Sequence, residues 1–132
     1  MPSFIRLFAG LAGTIHVLFF VMESILWMNP KVHSRFLVED LADAEAINVF
    51  IMNQGFYNLF LAMGIFAGLY IFRFNAIVGK TLVGYVSSVM LGAAIVLIFT
   101  VPAMVTGFVV QGLPPLIVLV YLIWNRNQSD AH

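Results

Sequence analysis

Residues 77–101, IVGKTLVGYVSSVMLGAAIVLIFTV, decide the fold. Beyond Lys80 the stretch carries no charged side chain. At ~1.5 Å of rise per residue it is long enough to cross ~30 Å of hydrocarbon as a helix. Three further runs match it in length and character, at about 4–27, 47–72 and 103–124. In lipid every backbone N–H and C=O must be satisfied within the segment or by a closed barrel, and no dyad alternation of a barrel is visible, so all four runs are read as helices. Short connections make neighbours antiparallel. The expected fold is all-α, an antiparallel four-helix transmembrane bundle forming one domain over residues 1–132.

Composition agrees. Of the 132 residues, 62% are hydrophobic and 9% charged, and mean hydropathy is +1.02, far from a soluble domain. The absence of cysteine excludes disulfides, thiolate nucleophiles and Cys-based metal sites. A net charge of zero leaves no nucleic-acid footprint. The N-terminus resembles a signal peptide, but its apolar run is long, contains Glu23 and lacks a small-x-small cleavage site, so it is read as a retained helix. Arg6, Arg73, Lys80 and Arg126 fall on one side of the membrane, Lys31 and Arg35 on the other. The excess puts both termini in the cytoplasm. Trp27 and Trp124 stand at span ends, where an aromatic belt expects them. In the first connection, Val32, Phe36 and Leu37 follow an Asn29–Pro30 start signal and predict a short amphipathic helix on the membrane surface, either a lid or a plain connector. Gly64 and Gly68, and Gly84, Ser88 and Gly92, form small-residue faces that suit tight packing within the bundle or a homo-oligomer.

The informative residues are polar. Glu23 lies inside the first span, ~7 Å from its end, and a carboxylate there needs a partner or a wet cavity. His16, seven residues earlier, falls within ~20° of it on the same face of a regular helix. In the second span Gln54, Tyr57 and Asn58 cluster at i, i+3, i+4, and Asn53 widens the polar arc to ~140°. Gln111 in the fourth span falls at similar depth. Pro114 and Pro115 remove the helical donors of the Val110 and Gln111 carbonyls, which predicts a kink or a break there.

H-x6-E-x3-W (His16, Glu23, Trp27), N-Q-G-x-Y-N (Asn53 to Asn58) and Q-x-x-P (Gln111, Pro114) together resemble the bacterial family of small four-helix membrane proteins known as domain of unknown function 1304. The resemblance covers nearly the whole chain, and N-Q-G-x-Y-N is its most specific element. Pro115 departs from it, standing where a small residue such as Ala is expected. What the resemblance implies is the fold, a bacterial cytoplasmic membrane and a shared intramembrane site; it implies no activity.

Three readings of that site stand side by side. Glu23, His16 and the Asn/Gln/Tyr cluster can form a structural network that fixes helix register. They can form a pocket for a small amphipathic or apolar molecule drawn from the surrounding lipids, with Glu23 as the pivotal charge, His16 as proton partner, and Trp27, Asn53, Gln54, Tyr57, Asn58 and Gln111 as contacts. Proton-coupled transport would then follow. Small multidrug-resistance exporters are similar in size, helix number and a first-helix Glu, but share no other pattern. Thirdly, Glu23 and His16 can act as acid and base in an isomerase-like reaction on a lipid-soluble substrate. No cofactor is implied, and His16 with scattered Met22, Met52 and Met63 makes no metal-ligand motif.

Overall fold

The computed structural model describes residues 1–129, with side chains described as far as Asn125. The Arg126 side chain, counted above for charge, lies outside the described residues, as do Asp130 and His132. Every regular element among the described residues is helical: α1 (Ser3–Phe20), continued by a π turn (Val21–Ile25); α2 (Pro30–His33), continued by a 3-10 turn (Ser34–Phe36); α3 (Leu41–Ile71); α4 (Ala76–Thr100); a 3-10 turn (Pro102–Met104); and α5 (Val105–Ser129). Four segments are long and apolar enough to cross a membrane: Ser3–Ile25, Leu41–Ile71, Ala76–Thr100 and Pro102–Asn125.

The helix starts follow from capping. Asp40 accepts from Ala42 N–H at 2.7 Å and opens α3; Asn75 accepts from Val78 N–H at 3.1 Å and opens α4. The Asp40 cap corrects the expected start near 47. Residues Asp43 and Glu45 are helical, in turns by which α3 exceeds the hydrocarbon thickness: its 31 residues span roughly 46 Å. In α5 the helix continues through Pro114 and Pro115, so the break weighed as an alternative does not occur.

Packing runs round a square: α1 against α3 and α5, α4 against α3 and α5, with α1 and α4 on the diagonal. Ile5, Ala9 and Ala12 of α1, Ile65 of α3, Val83, Val86 and Met90 of α4 and Val118 of α5 form an apolar core towards the end that carries the α3–α4 turn. Small residues let the helices close there. Gly64 faces Val86, Gly68 faces Val83, and Gly79 lies against the Phe72 backbone, so the second-span glycines serve packing within the chain. The other stripe is looser: Gly84 approaches only Leu122, and a Cβ at Gly92 would meet nothing within 4 Å.

Candidate functional site: a polar-walled cavity at the open end of the bundle

At the opposite end the backbone of α1 changes its winding. Leu26 N–H bonds to the Val21 carbonyl at 2.9 Å, an i to i−5 bond, and Val21–Ile25 form one π turn with Glu23 in its middle. Such turns widen the helix and re-aim the side chain they carry. The seven-residue spacing of His16 and Glu23 therefore does not translate into one regular helical face, as the sequence suggested.

The π turn is seated on α3 by Gly55. A Cβ at Gly55 would collide with Ser24 Oγ and crowd the Glu23 Cβ. Ser24 Oγ–H donates to the Met52 carbonyl at 2.9 Å, across the same contact. With the two backbones this close, Asn58 Nδ2–H donates to Glu23 Oε2 at 2.8 Å, and both side chains are buried, each 6% exposed. The glycine of N-Q-G-x-Y-N thus supplies the approach, and its last asparagine the hydrogen bond.

Glu23 and Asn58 form part of the wall of a cavity of about 410 Å³. Gln54, Tyr57 and Gln111 share that wall, so five of the eight sequence-identified residues come together. The remaining lining is mostly apolar, including Phe19, Ile51, Leu61, Leu97 and Met104. Three of the eight lie elsewhere. Asn53 is exposed and away from the cavity, which splits the polar arc between inside and outside. His16 is buried, its Nδ1–H donating to the Ala12 carbonyl at 2.9 Å, while Nε2 has no partner among the described residues. It does not line the cavity. Trp27 is 2% exposed, and its Nε1–H donates to the Ala44 carbonyl at 2.9 Å, tying the end of α1 to the start of α3. This places it under the surface loop, not in a lipid-facing belt; Trp124, 68% exposed, is the one positioned for that role.

The loop between α1 and α3 folds over the cavity. Asn29 caps α2, accepting from Lys31 N–H at 3.0 Å. The segment ends with Leu37 in the left-handed region, φ 65°, with Leu37 N–H bonded to Ser34 O at 3.1 Å and Val38 N–H to His33 O at 3.2 Å. That pair of bonds is a Schellman closure, reinforced by His33 Nδ1–H donating to the Val38 carbonyl. The inward face is therefore His33 and Phe36, whereas Leu37, expected on it, is exposed. Phe36 stacks edge-on against Trp27 (5.6 Å) and Phe19 (6.4 Å) and lines the cavity. Sequence reading placed Phe36 on the loop helix but missed Phe19 and the α4 wall of Ala93, Val96, Leu97 and Thr100, because side chains that suit a span carry no mark of what they face. Gly55 and Ser24 were legible in principle: a glycine amid a polar cluster signals close backbone approach.

The class that emerges is a four-helix membrane protein with a buried carboxylate–amide pair at the wall of a partly open cavity. Residues 10–123 match the family model described as Protein of unknown function (DUF1304), and the chain belongs to that family. No curated protein and no solved structure matched it.

Proposed function

We propose that the protein binds one small amphipathic or apolar molecule in the cavity, with Glu23 as the polar anchor. The observation that carries this reading is the Glu23–Asn58 pair at the wall of a cavity of about 410 Å³, a size and a mix of apolar lining with few polar groups typical of small-molecule sites. A buried carboxylate is an inefficient helix glue, since interhelical polar bonds in membranes contribute only about 0.6–2 kcal/mol. Gln54, Tyr57 and Gln111 orient the ligand's polar end, and Phe36 covers it from the membrane surface. Exchange of a proton on Glu23 for the ligand couples binding to transport. In the cell the bundle sits in a bacterial cytoplasmic membrane with both termini inside, on the four-to-two division of Lys and Arg.

Native mass spectrometry with extraction of bound small molecules tests the reading on protein purified in mild detergent. A specific molecule retained by wild type and by Asn53→Ala, whose side chain faces outward, but lost from Glu23→Gln is the expected result. Equal retention by Glu23→Gln removes Glu23 from binding. Chemical conversion of the retained molecule over time would favour an enzyme over a carrier.

A further inference from the structure

The geometry points to lateral loading: we infer that the cavity opens sideways into the bilayer between α3 and α4, admitting a lipid-dissolved molecule whose head donates a hydrogen bond to Glu23. The inference rests on the binding reading above and names its route and ligand class. It starts from helix register. Close contacts pair Gly64 with Val86, Gly68 with Val83, and Phe72 with Gly79, so α3 and α4 run antiparallel in one fixed register near their turn. Continued towards the far end, that register sets Tyr57 opposite Ala93, Gln54 opposite Val96 and Leu97, and Ile51 close to Thr100. All of these residues line the cavity. The void therefore runs along the α3–α4 seam of this end, with Phe19 of α1 and Gly107 and Gln111 of α5 also in its lining.

The seam faces outward. Tyr57 and Val96 are each 61% exposed while lining the cavity, and Gln54 and Ala93 are exposed as well. On a helix long and apolar enough to cross a membrane, such exposure at this depth is exposure to lipid. The buried Glu23, in the π turn after α1, and Asn58, on α3 one turn from Gln54, line the same cavity. Phe36 and Met104 close the cavity towards the loop end. A molecule arriving from the hydrocarbon thus passes a lip of the exposed Tyr57, Gln54, Ala93 and Val96 and meets a buried carboxylate acceptor inside. Asn58 already donates one bond to that carboxylate, so the remaining acceptor capacity suits a ligand hydroxyl or amine. A water-soluble anion is disfavoured by the same charge.

Because the chain has no cysteine, a single introduced thiol reports access without background. Leu61→Cys, half-buried on the cavity wall, is reconstituted in vesicles and treated with lipid-soluble N-benzylmaleimide or a membrane-impermeant sulfonated methanethiosulfonate. Relative to the same thiol in detergent-unfolded protein, the lipid-soluble reagent should label about tenfold or more faster than the charged one, given the cost of carrying a charge into hydrocarbon. Ala93→Trp, which fills the lip, should slow the lipid-soluble reaction by a similar factor, with helix content unchanged by circular dichroism. Equal rates for the two reagents, or no effect of Ala93→Trp, would overturn lateral loading while leaving a reachable cavity and the binding reading intact. A Val96→Cys disulfide dimer at the lip would also overturn it, assigning the seam to a second copy of the chain. Failure of both reagents to label a folded Leu61→Cys protein would remove the accessible cavity, and the binding reading with it.

Discussion

The two ends of the bundle use the same four helices for opposite purposes. Near the α3–α4 turn, glycines and valines bring backbones into contact round a core that is apolar but for the buried Ser87. At the other end α1 widens into a π turn, and a carboxylate is buried beside a cavity lined by all four long helices. A lipid-facing bundle gains little from hydrophobic burial, because lipid is as apolar as its own core; its cohesion comes from close van der Waals packing and a few polar bonds. The difference teaches that the closed end can hold the helices while the open end is released to enclose a void. Loss of packing would be felt most at the first, and loss of polar pairing at the second.

Substitutions can break that contrast. At the closed end, Gly79→Leu should have the largest effect, because a side chain there meets the Phe72 backbone, which cannot move without shifting the α3–α4 turn. A loss of about 3 kcal/mol or failure to fold is expected, measured by denaturant unfolding in mixed micelles. Tolerance of this change would show that the turn is not the clamp.

At the open end the polar pair comes next. Asn58→Leu leaves Glu23 without its hydrogen-bond donor and should cost about 2 kcal/mol, whereas replacing both partners by apolar residues should recover most of the loss. Additive losses in that double-mutant cycle would mean the two side chains do not depend on each other.

Gly55→Ala sharpens the comparison, since it sets a packing contact inside the polar region. Its Cβ meets Ser24 Oγ, which can rotate only by giving up the Met52 carbonyl. A cost of about 1 kcal/mol is expected, partly relieved by Ser24→Ala in the same chain; an unrelieved loss would put the strain in the backbone of the π turn instead. Smallest of all is Gly92→Ala, on the open half of α4 with nothing within 4 Å of the added methyl. Helix propensity alone should then raise stability by up to about 1 kcal/mol, and a clear destabilisation would reveal a neighbour packed on that face.

The spans were legible because long uncharged runs have few physical solutions in lipid, and 77–101 differs from the helix Ala76–Thr100 by a residue at each end. The start of α3 was less so: hydropathy locates where a helix enters hydrocarbon, and Asp40 caps it earlier, in the acidic stretch. The polar residues were visible as anomalies, but their grouping was read on an ideal helix. That geometry failed for His16 and Glu23, where the π turn intervenes, and for Asn53, which sits on the outer edge of its arc. Val32, Phe36 and Leu37 were read as one face, yet a left-handed Leu37 turns the chain before it reaches that side.

By itself the sequence determined the class, the number of long apolar helices, and the identity of the residues too polar for their surroundings, all of which follow from the free energy of placing each side chain in hydrocarbon. Only the tertiary structure decided which of those residues meet. The Glu23–Asn58 bond joins residues 35 apart in sequence, and it depends on a glycine-allowed approach of α3 to a widened turn that no local pattern encodes.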